Sequence, residues 1–279
     1  QGEVLGIIGP NGSGKTTLFD LMSGFVTPTE GRVNLLGEDV TAWTPDMRAE
    51  AGLGRSFQDA RLFPSMTVRQ AIAVALERHL EVRDPIAAAL MSPAVRIAER
   101  AAEAEVDDLV ELMHLEAFAD KFVGELSTGT RRVVDIACSL AHRPAVLLLD
   151  EPSSGIAQRE AEALAPLLLN IRDTTGAALI VIEHDMPLIR AISDRLVALE
   201  LGQVAAEGDP DTVIHDPRVV EGYLGGTLEV IERSGMVSVP AKKRAVKRVA
   251  AKRVPAKKVA AKKASVNGHR AAKKVRSRA

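Results

Sequence analysis

The stretch "EVLGIIGPNGSGKTTLFDLMSG", residues 3–24, decides the fold. Its first part, "EVLGIIG", is a short apolar run of the kind buried on both faces of a parallel sheet. Its last part, "KTTLFDLMSG", reads as a helix that stops at Gly24. Between them "GPNGSGKTT" (9–17) fits the spacing G-x-x-x-x-G-K-[ST]. It does so in the setting that gives the spacing meaning, with a strand before it and a helix after it. The segment Gly9, Pro10, Asn11, Gly12, Ser13, Gly14 lets successive backbone N–H groups turn inward around phosphate oxygens. Lys15 reaches the outer phosphates and Thr16 offers a hydroxyl to Mg²⁺. Thr17 follows in the first turn of a helix whose positive end faces the anion. The motif predicts a nucleotide site without fixing its task.

Two more apolar runs lie downstream. "PAVLLLDEP" (144–152) ends in Asp150 and Glu151, and "GAALIVIEHD" (176–185) ends near His184. Carboxylates at a strand end beside a phosphate loop can divide the work. Asp150 would hold hydrated Mg²⁺, and Glu151 would polarise an attacking water as general base. His184 is placed to touch a γ-phosphate. Gln58, in "GRSFQDARLFPSMTV" (54–68), stands where it could sense Mg²⁺ and the γ-phosphate and pass the result onward. Apolar strands alternating with helices predict an α/β fold with a mainly parallel sheet. From about residue 65 to 141 the pattern turns helical, as an inserted subdomain. "GRVNLLGEDV" (31–40) reads as a strand and turn. "REAEALAPLLLNIRDT" (159–174) reads as a helix that Pro166 should kink. In "ELSTGTRRVVDIACSL" (125–140), Val133, Ile136, Ala137 and Leu140 predict the buried face of a helix capped by Ser127.

Composition divides the chain. Of its 36 Lys and Arg, 16 fall in residues 236–279, which hold no Asp or Glu. The rest, 1–235, carries 20 basic against 37 acidic residues. An acidic folded domain thus precedes a tail of Ala, Val, Lys, Arg and Pro. Basic pairs recur every five residues from Lys242–Lys243 to Lys262–Lys263. On a helix they would spiral around the axis and form no stripe, and without large apolar residues no core is expected. The tail resembles those of linker histones and some bacterial nucleoid proteins. It would bind a polyanion, either anionic lipid or nucleic acid, or else rest in solvent or on its own acidic domain. One cysteine, Cys138, excludes a disulfide framework and reads as a small buried residue. No run is long enough to span a bilayer as a helix.

These pieces together resemble the nucleotide-binding subunit of an ATP-binding cassette (ABC) transporter, a P-loop NTPase of RecA-like fold, over about residues 1–230. "GPNGSGKTT" stands at Walker A, Gln58 at the Q-loop, Asp150 and Glu151 at Walker B, and His184 at the switch histidine. "ELSTGT" stands at the signature motif, usually LSGGQ. The segments "FQDARLFPSMTVRQ", "DRLVALELGQVAAEGDPDTV" and "DPRVVEGYLGG" resemble the ATPases of branched-chain amino-acid uptake. The resemblance implies ATP hydrolysis with Mg²⁺, a membrane permease as a separate or fused partner, and a place on the cytoplasmic face of a bacterial inner membrane. It also implies a second cassette, identical or not, whose bound γ-phosphate Ser127 and Gly129 would face. Three departures stand out. Thr128 and Thr130 replace the usual Gly and Gln, with strain if Thr128 needs positive φ. Ala157 replaces the Asp or Asn that lets the paired sites communicate. The family normally has two more strands before Walker A, ahead of where Gln1 stands, which leads one to expect poor stability and weak ATP binding from residues 1–279 alone. The alternatives are a nucleic-acid-associated ABC ATPase that uses the tail, and a degenerate regulatory cassette.

Overall fold

The first strand, β1 (Val4–Ile8), is buried along nearly its whole length because apolar strands flank it on both sides. The computed structural model describes residues 2–57, 62–79 and 93–224. Gln58 and the whole basic tail lie outside the described residues. β1 leads into helix α1 (Lys15–Ser23), which Gly24 ends in a left-handed conformation. A two-stranded antiparallel hairpin, β2 (Asn34–Leu35) and β3 (Glu38–Asp39), follows where a strand and turn were expected. Helix α2 (Pro45–Glu50) and strand β4 (Leu53–Ser56) come next. The described elements between β4 and the next strand are helical apart from an isolated Thr67–Phe122 bridge: α3 (Val68–Leu76), α4 (Pro93–Leu112) and α5 (Thr128–Leu140), with short 3₁₀ turns. Strand β5 (Val146–Asp150), helix α6 (Gln158–Thr175), strand β6 (Ala178–Ile182) and helix α7 (Met186–Ile192) follow. The described part closes with β7 (Arg195–Glu200), β8 (Gln203–Gly208), α8 (Pro210–Ile214) and α9 (Pro217–Leu224).

Six strands form one sheet in the order β4-β5-β6-β1-β7-β8. All neighbours run parallel except β7 and β8, which pair antiparallel. The fold is therefore α/β with a mainly parallel sheet. Leu147, Leu148 and Leu149 of β5 are fully buried, as a central strand covered on both faces requires. Register matters for the site. Ile7 pairs with Ile182 and Asp150 with Ile182, so β1, β5 and β6 end level with one another. Their carboxyl ends, with that of β4, open onto one edge, the position where open α/β sheets bind ligands.

In α6 and α5 the core decides what each helix buries. Pro166 does not interrupt α6, which runs from Gln158 to Thr175 with the proline inside it. Leu164, Leu167, Leu168 and Ile171 all pack into the core from that helix, and this burial outweighs the missing backbone bond. In α5, Val134 takes the fully buried place and Val133 only packs against the core edge, while Arg132 joins Gly129, Ile136, Ala137 and Leu140 on the inner face. Cys138 is partly buried, and burial with Asp135 nearby pushes its thiol up to about 12, so it stays protonated. Among the described residues no helix is long and apolar enough to cross a membrane.

Candidate active site

The loop between β1 and α1 is shaped by backbone that only glycine takes without strain. Gly14 stands at the N-cap of α1 with φ 102°, and no side chain caps the helix there. The first N–H groups of α1 are thus directed at the loop's own concavity. Ser13 is 1% exposed, and its Oγ is buried without a hydrogen-bond partner. A buried, unpartnered hydroxyl in such a loop fits a phosphate oxygen. The Gly202 N–H donates to the Ser13 carbonyl at 2.9 Å and ties the loop to the β7–β8 turn. Lys15 is buried and donates to the carbonyls of Gly9 (2.6 Å) and Pro10 (3.1 Å). Burial lowers its pKa, while Glu151 and then Asp150 draw it back up. Thr16 and Thr17 are exposed at the start of α1, as are Asn11 and Gly12 in the loop.

Asp150 ends β5 almost buried, and burial raises its carboxyl above the usual range. Arg55 of β4 opposes that rise from 3.9 Å. The same guanidinium donates to Asp20 Oδ1 and Ser23 Oγ, both at 2.7 Å. It also lies 5.1, 5.6 and 5.8 Å from the ring centres of Phe57, Phe25 and Phe19, a cation–π enclosure. Glu151 follows with φ 47°, left-handed and costly for a residue with a Cβ. Its backbone is held on both sides. Its N–H donates to the Ile182 carbonyl at 2.9 Å, and its carbonyl accepts from Ser154 N–H (3.0 Å) and Arg132 Nη2 (3.2 Å). Glu151 Oε1 stands 3.1 Å from His184 Nε2, so the structure brings this pair together.

Three charged residues that the sequence reading passed over hold this arrangement. Glu183 is 2% exposed, and its carboxylate accepts from the N–H groups of Ser153 (2.7 Å), His184 (2.8 Å) and Asp185 (3.2 Å). It therefore pins the loop after Glu151 to the loop carrying His184. Burial raises its pKa, and the bonds it accepts oppose the rise. Arg132 joins α5 to two other segments, donating to the carbonyls of Phe57 (2.5 Å) and Glu151 (3.2 Å). Phe57 immediately precedes Gln58. The helical period was a usable signal for Arg132, which lies three residues after Gly129 and four before Ile136. Arg55 and Glu183 gave less, since each is one charge in an apolar strand or at its end.

At the amino end of α5, Ser127 is the N-cap and accepts from the Thr130 N–H at 3.1 Å. Thr128 is the first helical residue and is not among those with positive φ, so the strain feared from its β-branched side chain does not arise. Gly129 is buried beneath Glu160 of α6. Ala157 is the N-cap of α6 and supplies no capping side chain. The hard oxygen donors Thr16 and Asp150 suit Mg²⁺.

A family profile described as ABC transporter matches residues 1–154. A Pseudomonas aeruginosa protein, the high-affinity branched-chain amino acid transport ATP-binding protein BraF, is 37% identical over 223 residues, which is 80% of this chain and 87% of that protein. A solved nucleotide-free ATP-binding cassette from an ABC transporter is 30% identical with a TM-score of 0.67, covering 80% of this chain and 88% of that one. A dimeric cassette in a post-hydrolysis state with ADP and Pi is 26% identical with a TM-score of 0.61, covering 75% of this chain and 86% of that one.

Proposed function

The chain belongs to the ABC transporter family as an ATP-binding subunit, an ATPase, and on that premise we propose that it powers a membrane permease importing branched-chain amino acids or related small solutes. The observation that carries the catalytic reading is the 3.1 Å contact between Glu151 and His184. It lies where β5 and β6 end beside the phosphate loop. The likeness to BraF over 80% of the chain supports the choice of solute.

In this reading the N–H groups of the loop, the Ser13 hydroxyl and Lys15 take the phosphates of ATP. Lys15 exchanges the carbonyls of Gly9 and Pro10 for phosphate oxygens, a trade of neutral acceptors for charged ones. Thr16 and Asp150 would hold Mg²⁺, with Gln58 as a further contact, and the ion would neutralise charge on the phosphates. Glu151 takes the proton of the attacking water. His184 fixes the Glu151 carboxylate and touches the γ-phosphate. Ser127 and the Gly129 N–H face the γ-phosphate held by a second cassette, which the dimeric relative supports. The permease would hold the assembly on the cytoplasmic face of the membrane.

The test is ATP turnover by the full-length protein beside Glu151→Gln, followed by uptake of labelled leucine, isoleucine and valine in cells lacking the gene. Turnover lost in Glu151→Gln is expected, at about a hundredfold or more for a general base. Equal turnover in both proteins would overturn the catalytic assignment. Unchanged uptake of all three amino acids would overturn the solute.

A further inference from the structure

The first turn of α5 already carries an anion of the protein's own. Ser127 Oγ donates to Glu160 Oε1 at 2.9 Å. A Cβ built on Gly129 would stand 2.2 Å from Glu160 Oε2 and 2.7 Å from its Cδ. The carboxylate of α6 therefore lies against the start of α5, at a distance that only a glycine there permits. This is where the unsatisfied N–H groups and positive end of a helix favour negative charge. The placement also follows from local sequence. Glu160 is the third residue of α6, the position from which Glu usually forms a capping box with a Ser or Thr N-cap. The N-cap here is Ala157, which cannot complete the box, and the carboxylate reaches across to Ser127.

Resting on the reading that this turn meets the γ-phosphate of a second cassette's ATP, we propose that Glu160 is an internal competitor for that phosphate. Its carboxylate must leave Ser127 before the composite site closes, so it sets the ATP concentration that closure requires. Two like charges cannot share one helix turn once water is excluded from it. A cavity of about 190 Å³ adjoins the carboxylate, lined by Glu160, Gly129, Thr130, Ile156 and Leu164 among others. That cavity is mostly apolar, so the exposed Glu160 side chain withdraws toward solvent, which needs neither helix to move. The contact is thus a threshold device, releasing Ser127 only when ATP on the other cassette competes for it.

The test compares full-length wild type with Glu160→Gln and Glu160→Ala. Turnover is measured against ATP concentration, and ATP-driven dimerisation is measured by light scattering in a Glu151→Gln background. Removing the competing charge is expected to lower the half-saturating ATP about fivefold, with kcat not reduced and dimers forming at correspondingly less ATP. A merely structural contact would not shift KM while sparing kcat. Half-saturating ATP that stays the same or rises would overturn the proposal, as would a fall in kcat. Glu160 is exposed, and matching thermal midpoints will show that the variants fold. Ser127→Ala separates the two levels of the argument. If it impairs turnover while both Glu160 variants are silent, the competitor fails and the phosphate-facing reading stands. If Ser127→Ala changes nothing, that reading fails and the competitor with it.

Discussion

Glu183 occupies a buried site where a neutral residue would ordinarily be the safer choice. Its carboxylate earns its place by accepting three backbone N–H groups from two loops. Glutamine has the same shape but presents an NH₂ where one oxygen accepted. Glu183→Gln is therefore expected to lose about 1–3 kcal/mol of stability. It should also lower kcat more than it raises KM, because the loops it joins carry Glu151 and His184. Chemical denaturation and steady-state kinetics on one preparation check both, and an unchanged kcat would reduce Glu183 to a packing role. The same contrast explains what could be read beforehand at this scale. Asp150 and Glu151 stood out as paired carboxylates closing an apolar strand downstream of a phosphate-loop motif, and His184 as a histidine near the end of another, whereas one glutamate alone did not. Arg132 stood out less: the helical period puts it on the inner face of α5, but its partners are carbonyls of Phe57 and Glu151, which no spacing along the chain connects.

At the scale of elements, two helices carry costs that substitution should relieve. Asp135 of α5 is mostly buried with Oδ2 unpartnered, and burial raises its carboxyl to about 6 although Arg132 pulls the other way. A carboxyl held higher in the folded than in the unfolded chain favours folding while protonated. That advantage is lost as pH rises from the ordinary aspartate range, about 4, through about 6. Asp135→Asn should thus stabilise the protein at pH 7 by on the order of 2–3 kcal/mol, with the gain shrinking toward pH 4. Melting curves at the two pH values decide it, and an equal effect at both would reject the titration account. Pro166 is exposed on α6, so Pro166→Ala restores a backbone donor without removing packing. A gain of about 1–3 kcal/mol is expected, and a loss would mean the proline shapes the helix for a contact elsewhere. Local sequence marks Pro166 as a helix breaker, yet the helix continues through it. The leucines that hold α6 to the core act through the sheet, which the local pattern does not contain.

Across the whole molecule, the pattern of apolar strands implied a mainly parallel sheet, but not the order β4-β5-β6-β1-β7-β8. Strand neighbours are set by how crossover helices pack, and that information is distributed over the chain. The order matters because it seats β1 beside β6, which brings the phosphate loop and His184 to one edge. The amino end of α5 belongs to the helical segments between β4 and β5, and in the proposed dimer it serves the other chain's phosphate loop. Two defects in one composite site should then be separable between chains. Lys15→Ala removes the phosphate side and Ser127→Ala the facing side, so each variant alone is expected to be nearly silent. Random mixing of equal amounts makes half the dimers mixed, and each mixed dimer holds one site with Lys15 and Ser127 both intact. Turnover should therefore recover to about a quarter of wild type. The check is a mixing titration with dimer formation monitored in parallel. Recovery near that level would place Lys15 and Ser127 of different chains in one site. Mixed dimers that form without recovering any turnover would sink the shared site between two copies of this chain.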